Sequence, residues 1–324
     1  MPRTRLSLFL IALGVVIAAC GGSSSETKNA ASPSAVAAAT QAGQPKTGFG
    51  GVVAASELVP GENRFLLGIV DNASGQPVPD ATVRLRFFTV QGSQGTLKSE
   101  ADAAFVSTAR DAGIPPLVEH KHLDGSVHPH SNAEADVGVY MARASFDQPG
   151  NWGVEAAFRT KEGTEGKVTV PFTVVPKPTT PAVGQPAPRT KNPTAKDVKD
   201  LTQIDSAVEP VAALHQVSVA DAIAQGKPAL VAFVTPGYCS TRFCGPTYEL
   251  VKKLLPTYGD KAALIHIEVW KDPINKVPAD AVTEWNLKSE PFLFVLDKNG
   301  VITDKFEGPV SLAELDAAMK KVTS

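Results

Sequence analysis

The chain has 324 residues, three cysteines and a net charge of -2, with 43% hydrophobic against 20% charged residues. That balance excludes a wholly disordered chain and lacks the basic excess expected of a nucleic-acid binder. The length suffices for two domains of ordinary size, and the odd cysteine count sets one cysteine apart.

"MPRTR" is a basic start, and "LSLFLIALGVVIA" is an apolar run too short to span a bilayer comfortably. "IAAC" ends that run in small residues before Cys20 and resembles a bacterial lipobox. The resemblance implies removal of residues 1–19 as a lipoprotein signal peptide and a lipid on Cys20. Acyl chains would then hold the protein at the cell membrane, on the extracytoplasmic face. An ordinary signal peptide cut nearby and an uncleaved anchor are the alternatives. Outside the cytoplasm disulfides persist, so the two remaining cysteines can pair. Residues 20–47, rich in Gly, Ser, Ala, Thr and Pro, lack apolar mass and read as a flexible tether.

Residues 48–175 read as strands. "RFLLGIVD" and "ATVRLRFFTV" flank the hairpin-type loop "NASGQPVPD"; "VGVYMARASF", "NWGVEAAFR" and "KVTVPFTVV" follow. Alternating apolar and polar residues predict one buried face. About seven strands over about 125 residues predict an immunoglobulin-like β-sandwich, with Phe146 and Trp152 in its core. "YMARASFDQPGNW" and "ELVPGENRFLLGIVDNASGQPVPDATVRL" resemble the FixH-like and YtkA-like sandwiches of bacterial membrane-associated proteins. That resemblance implies a binding or docking module linked to oxidase assembly and metal handling.

Within this region "VEHKHLDGSVHPH" holds four of the six histidines: His120, His122, His128 and His130. Each pair is spaced by two, so on a strand both members share a side, and "DGS" reads as the turn between two strands. Four imidazoles so gathered suit copper or zinc. A polar loop with exposed histidines is the other reading.

Residues 176–195 contain "PKPTTPAVGQPAPRTKNP" and predict a stiff proline-rich linker. Beyond it the pattern changes. "VADAIAQG" predicts a helix ending at Gly226, and "PALVAFV" a strand covered on both faces. "TYELVKKLLPTYG" predicts a helix, "AALIHIEVW" a strand and "ADAVTEWNL" a short helix. "PFLFVLD" and "VITDKFEG" form a hairpin about "KNG", and "SLAELDAAMKKV" a last helix. This alternation predicts an α/β fold with a mixed sheet.

"TPGYCSTRFCGPT" carries Cys239 and Cys244, with four residues between them. Here residues 196–324 resemble the thioredoxin fold, with "FCGPT" in the place of the family's "WCGPC". The resemblance implies Cys244 at a helix start as attacking thiolate and Cys239 as resolving thiol. It places Thr247 where the second family cysteine stands, and makes Glu290–Pro291 a cis bond beside the partner-binding groove. The carboxylate of many thioredoxins is replaced by Ala232; Glu268, sharing a strand face with His266, is a candidate substitute. "TPGYCSTR" also resembles the peroxiredoxin "TPVCTTE" with one residue inserted. The pair with His266 resembles Sco-type copper chaperones, which space their cysteines by three.

The sequence therefore predicts two domains, an all-β immunoglobulin-like sandwich followed by an α/β thioredoxin-like fold. Its expected activity is thiol–disulfide exchange with extracytoplasmic protein thiols or disulfides, at a membrane held by the lipid anchor. Exchange requires no cofactor; copper or zinc enters only through the histidines. A non-enzymatic binding lipoprotein with a structural disulfide is the first alternative, and a copper-handling or oxidase-assembly factor the second.

Overall fold

A computed structural model describes residues 47–115, 117–121, 127–131 and 137–324, without the side chains of 117–121 and 127–131. Cys20, the expected signal peptide, nearly all of the tether, and His122 lie outside the described residues.

Seven strands form one antiparallel sheet: β1 (Phe49–Val53), β2 (Gly61–Asp71), β3 (Thr82–Gln91), β4 (Gln94–Val106), β7 (Val139–Phe146), β8 (Gly150–Arg159) and β9 (Glu165–Val174). Their order is β1-β2-β7-β4-β3-β8-β9. β3 shows why they pair as they do. Val83, Leu85 and Phe87 are buried, while Arg84 and Arg86 stay outside and pair with Glu100, Asp102 and Glu155. Phe65, Phe87, Phe146, Trp152 and Phe172 meet in an aromatic core, with Phe65 and Phe87 edge-to-face at 4.9 Å. Each such ring contributes about 1.5–3 kcal/mol by burial. Tyr140 threads this core and donates its hydroxyl to the Val78 carbonyl at 2.6 Å.

The expected sandwich of two facing sheets is corrected here. The sheet is single and curls until its edge strands meet. Gly51 of β1 lies so close to β9 that a Cβ there would sit 2.6 Å from Val170 Cγ2. Strand alternation fixes which residues face inward but not whether strands pair into one sheet or two. That is why the pattern read as a sandwich.

The thioredoxin-like α/β fold is corrected as well, because the regular structure of the described residues is mostly β. The described residues contain five α-helices: α1 (Thr108–Ala112), α2 (Val219–Ala224), α3 (Cys244–Tyr258), α4 (Asp280–Glu284) and α5 (Leu312–Thr323). Only α3 and α5 exceed six residues. The helices predicted in "VADAIAQG" and "ADAVTEWNL" are present as the short α2 and α4, of six and five residues. The sheet they accompany, β11 (Ala263–Glu268), β10 (Ala229–Val234), β14 (Phe292–Leu296) and β15 (Ile302–Glu307), has one parallel pairing and two antiparallel ones. Two small hairpins complete the strands: β5 (Leu117–Lys121) with β6 (Val127–Ser131), and β12 (Trp270–Asp272) with β13 (Val277–Pro278).

The described residues fall in one compact unit, and polar ties join its two sheets. Arg64 of β2 donates to Glu314 Oε1 at 2.7 Å and to the Glu307 carbonyl at 3.1 Å. Thr108 of α1 exchanges hydrogen bonds with the carbonyl and amide of Val310. The proline-rich segment runs bonded along the small sheet. Ala187 N–H donates to the Gly300 carbonyl, and Trp285 Nε1 to the Thr190 hydroxyl at 2.6 Å. Among the described residues no helix is long and apolar enough to cross a membrane.

Candidate functional site

The cysteine turn leaves the end of β10. All six β10 residues are buried, so the chain emerges at Thr235 from a covered strand. Gly237 N–H donates to Ser206 Oγ at 2.9 Å, and a Cβ at Gly237 would come within 2.7 Å of the Ser206 carbonyl, so glycine permits the close approach. Tyr238 is exposed, Cys239 half-buried and Arg242 exposed with φ of 67°. The turn ends where α3 begins at Cys244, which is fully buried.

No side chain caps α3 at Phe243, which leaves the first-turn N–H groups free for other acceptors. Cys244 N–H donates to Cys239 Sγ at 3.2 Å. The helix start thus supports the sulfur of the preceding turn, not its own. Thr241 Oγ1 lies 3.4 Å from Cys239 Sγ and 3.1 Å from the Glu290 carbonyl. Glu290, 3% exposed, holds the turn from the other side: its Oε1 accepts from the Ser240 amide at 3.2 Å and from the Ser240 hydroxyl. The Glu290–Pro291 bond is cis, as the sequence reading expects, and Pro291 is buried.

The two thiols are pushed in opposite directions. A hydrogen bond from the Cys244 thiol, helped by Thr241 and against the cost of burial, lowers the Cys239 thiol from 9.0 to about 6. Burial raises the Cys244 thiol well above its ordinary value, and the negative charge on Cys239 adds to this. The properties expected of an attacking thiolate at Cys244 are those of Cys239. Residue order places Cys244 at the helix start but does not reveal that its backbone N–H points to Cys239 Sγ.

Thr247 is buried one helical turn below, its hydroxyl without a hydrogen-bond partner. Glu268 accepts from the backbone N–H groups of Ser206, Val269 and Trp270, which occupy its carboxylate. In the β5–β6 hairpin the backbone register sets His120 opposite His128 and Val118 opposite His130.

A second polar group lies beneath the turn. Asp205, His215 and His266 are each about 1% exposed. Asp205 Oδ2 lies 3.0 Å from His215 Nε2 and 3.4 Å from His266 Nδ1, and accepts from the Tyr248 hydroxyl at 2.7 Å. Burial would raise the Asp205 carboxyl, but lowering contributions led by the hydrogen bond at His215 outweigh it and hold it below the usual carboxylate range. The three donor atoms lie within 4.8 Å of one another, so the group could in principle hold a metal ion. Sequence reasoning missed Asp205 and His215, which come from irregular chain and a short 3-10 turn (Ala212–His215) with no ligand spacing between them. The one available signal was His266 inside an apolar strand.

No family model matches the chain, and no curated protein matches it.

Proposed function

We propose that the protein carries out thiol–disulfide exchange, with Cys239 as the attacking thiolate and Cys244 as the resolving thiol. The observation that carries this reading is the polarised pair: a half-buried sulfur lowered to about 6 beside a buried thiol held neutral. At neutral pH Cys239 is then largely thiolate, the form that attacks disulfides.

In the first step Cys239 Sγ attacks one sulfur of a partner disulfide, and the partner's other sulfur leaves as a thiolate. Cys244 then gives up its proton, attacks Cys239 Sγ and releases the partner's remaining sulfur, also as a thiolate. The protein ends with a Cys239–Cys244 disulfide, oxidised by two electrons, and the partner ends reduced. The reverse sequence oxidises a partner dithiol. Glu290 and Thr241 position the turn, and Tyr238 is exposed beside the half-buried Cys239.

The proposed setting is the extracytoplasmic face of the cell membrane, reached through the lipid on Cys20, with protein thiols or disulfides as partners. The exchange chemistry needs no cofactor. Copper or zinc at His120, His122, His128 and His130 belongs to the copper-handling alternative, which the His120–His128 register favours. It requires tight copper binding that is lost when all four are replaced.

Trapping tests the main reading. Cys244→Ser is expected to accumulate mixed disulfides through Cys239, identifiable by mass spectrometry, and Cys239→Ser to accumulate none. Trapping through Cys244 alone would overturn the assignment of roles. A reduction potential of about -120 to -270 mV fits exchange, and one below about -300 mV fits a locked structural disulfide in a non-enzymatic binder.

A further inference from the structure

The buried group beneath the cysteine turn has a hydrogen-bonding problem that its own protons solve poorly. His266 Nε2 lies 3.0 Å from the Val234 carbonyl, which can only accept. Nε2 therefore carries a proton, and in a neutral ring Nδ1 is a bare lone pair. That lone pair faces a carboxylate oxygen, Asp205 Oδ2, at 3.4 Å, and has no hydrogen-bond partner. Two acceptors facing each other in a site about 1% exposed need a positive charge between them.

A proton would make His266 an imidazolium, but a charge-assisted bond to a carboxylate closes to about 2.7–2.9 Å. The observed separation is instead that of two ligands on one cation. With ligand arms of about 2.1 Å, neighbouring vertices of a tetrahedron stand about 3.4 Å apart. His215 Nε2 is within hydrogen-bond distance of the same carboxylate oxygen at 3.0 Å, and the Tyr248 hydroxyl donates to it at 2.7 Å, so both groups stand close enough to turn toward a cation. The bond from His266 to the Val234 carbonyl is the kind of outer contact that fixes a ligating imidazole.

We propose that Asp205, His215 and His266 form a closed site for a first-row divalent cation, with zinc the best fit. Two imidazoles and a carboxylate exclude the all-oxygen preference of magnesium and calcium. Complete burial leaves no open position for a substrate, so the ion is structural and loads as the chain folds. It would clamp three separated segments: the chain at Asp205, the 3-10 turn at His215 and β11 at His266. Ser206, next to Asp205, accepts from Gly237 of the cysteine turn, so the clamp underlies the candidate site without entering its chemistry. This inference stands independently of the exchange reading.

The test uses the full chain in detergent, without a polyhistidine tag, and with His120, His122, His128 and His130 replaced by alanine so that they cannot compete. Zinc and cobalt(II) are the probes. About one equivalent of zinc by elemental analysis is expected, with cobalt(II) giving the visible bands of a four-coordinate site. A further His266→Ala change should weaken zinc by more than the about 10–100-fold typical of losing an outer-shell partner. Because that variant could fold poorly, nitrogen-15 NMR of the histidine rings in the parent protein supplies an independent readout. A His266 Nδ1 that shifts on adding zinc supports the site. A proton on Nδ1 that persists in excess zinc, or no stoichiometric metal in the parent, overturns it.

Discussion

In β3 of the large sheet Val83, Leu85 and Phe87 turn inward while Arg84 and Arg86 pair with acids on the open face; in β10 of the small sheet every residue from Ala229 to Val234 is buried. The two regions also bury different chemistry. The large sheet encloses aromatic rings, and its tyrosine hydroxyl is satisfied by backbone. Around the small sheet Asp205, His215, His266, Thr235, Thr247 and Glu290 are all buried. Burying polar groups costs stability unless they are partnered, and around this strand end they are concentrated.

Removing a core ring breaks the comparison most strongly. Phe87→Ala should cost about 3–5 kcal/mol in chemical denaturation. The Cys239 titration should stay where it is, since that ring lies in the other sheet's core.

Cutting the tie between the sheets comes next. Arg64 and Glu314 form an ion pair with side chains only 8% and 14% exposed. Arg64→Ala leaves the carboxylate without its counter-charge, held only by the Ser311 amide and hydroxyl, and should cost about 3 kcal/mol. Burial raises the Glu314 carboxyl, but the Arg64 bonds outweigh it, and the net direction is down from 4.5. A depressed acid stabilises the fold above its unfolded value, so this contribution is present above about pH 4.5 and fades as the pH falls through the lower folded value. The gap between parent and Arg64→Ala should therefore shrink in acid, and a constant gap would rule the pair out as its cause.

Within the site, Thr241→Val removes the hydroxyl at Cys239 Sγ and should raise the Cys239 midpoint, measured by thiolate absorbance. Glu290→Gln is the mildest change. It retains an acceptor for Ser240 and removes the charge that opposes ionisation of Cys244, so Cys244 should titrate lower while Cys239 stays near 6.

Period-two alternation made the inward residues of the large sheet legible, and Phe146 and Trp152 are both in its core. The closure of the sheet was not legible, because it depends on Gly51 meeting β9 across the whole strand order. Cys239 and Cys244 stood out by residue type and spacing. Their proposed division of labour depends on where one backbone N–H points and on which sulfur is covered. Asp205 and His215 were invisible for a related reason: they converge from segments that only the fold brings beside His266.

The pH dependence of alkylation at each cysteine, read by mass spectrometry on the reduced protein, tests the central claim most directly. Cys239 is expected to react with a midpoint near 6, and Cys244 to stay unreactive until well above pH 9. A Cys239 midpoint near 9, or faster labelling of Cys244, would contradict it.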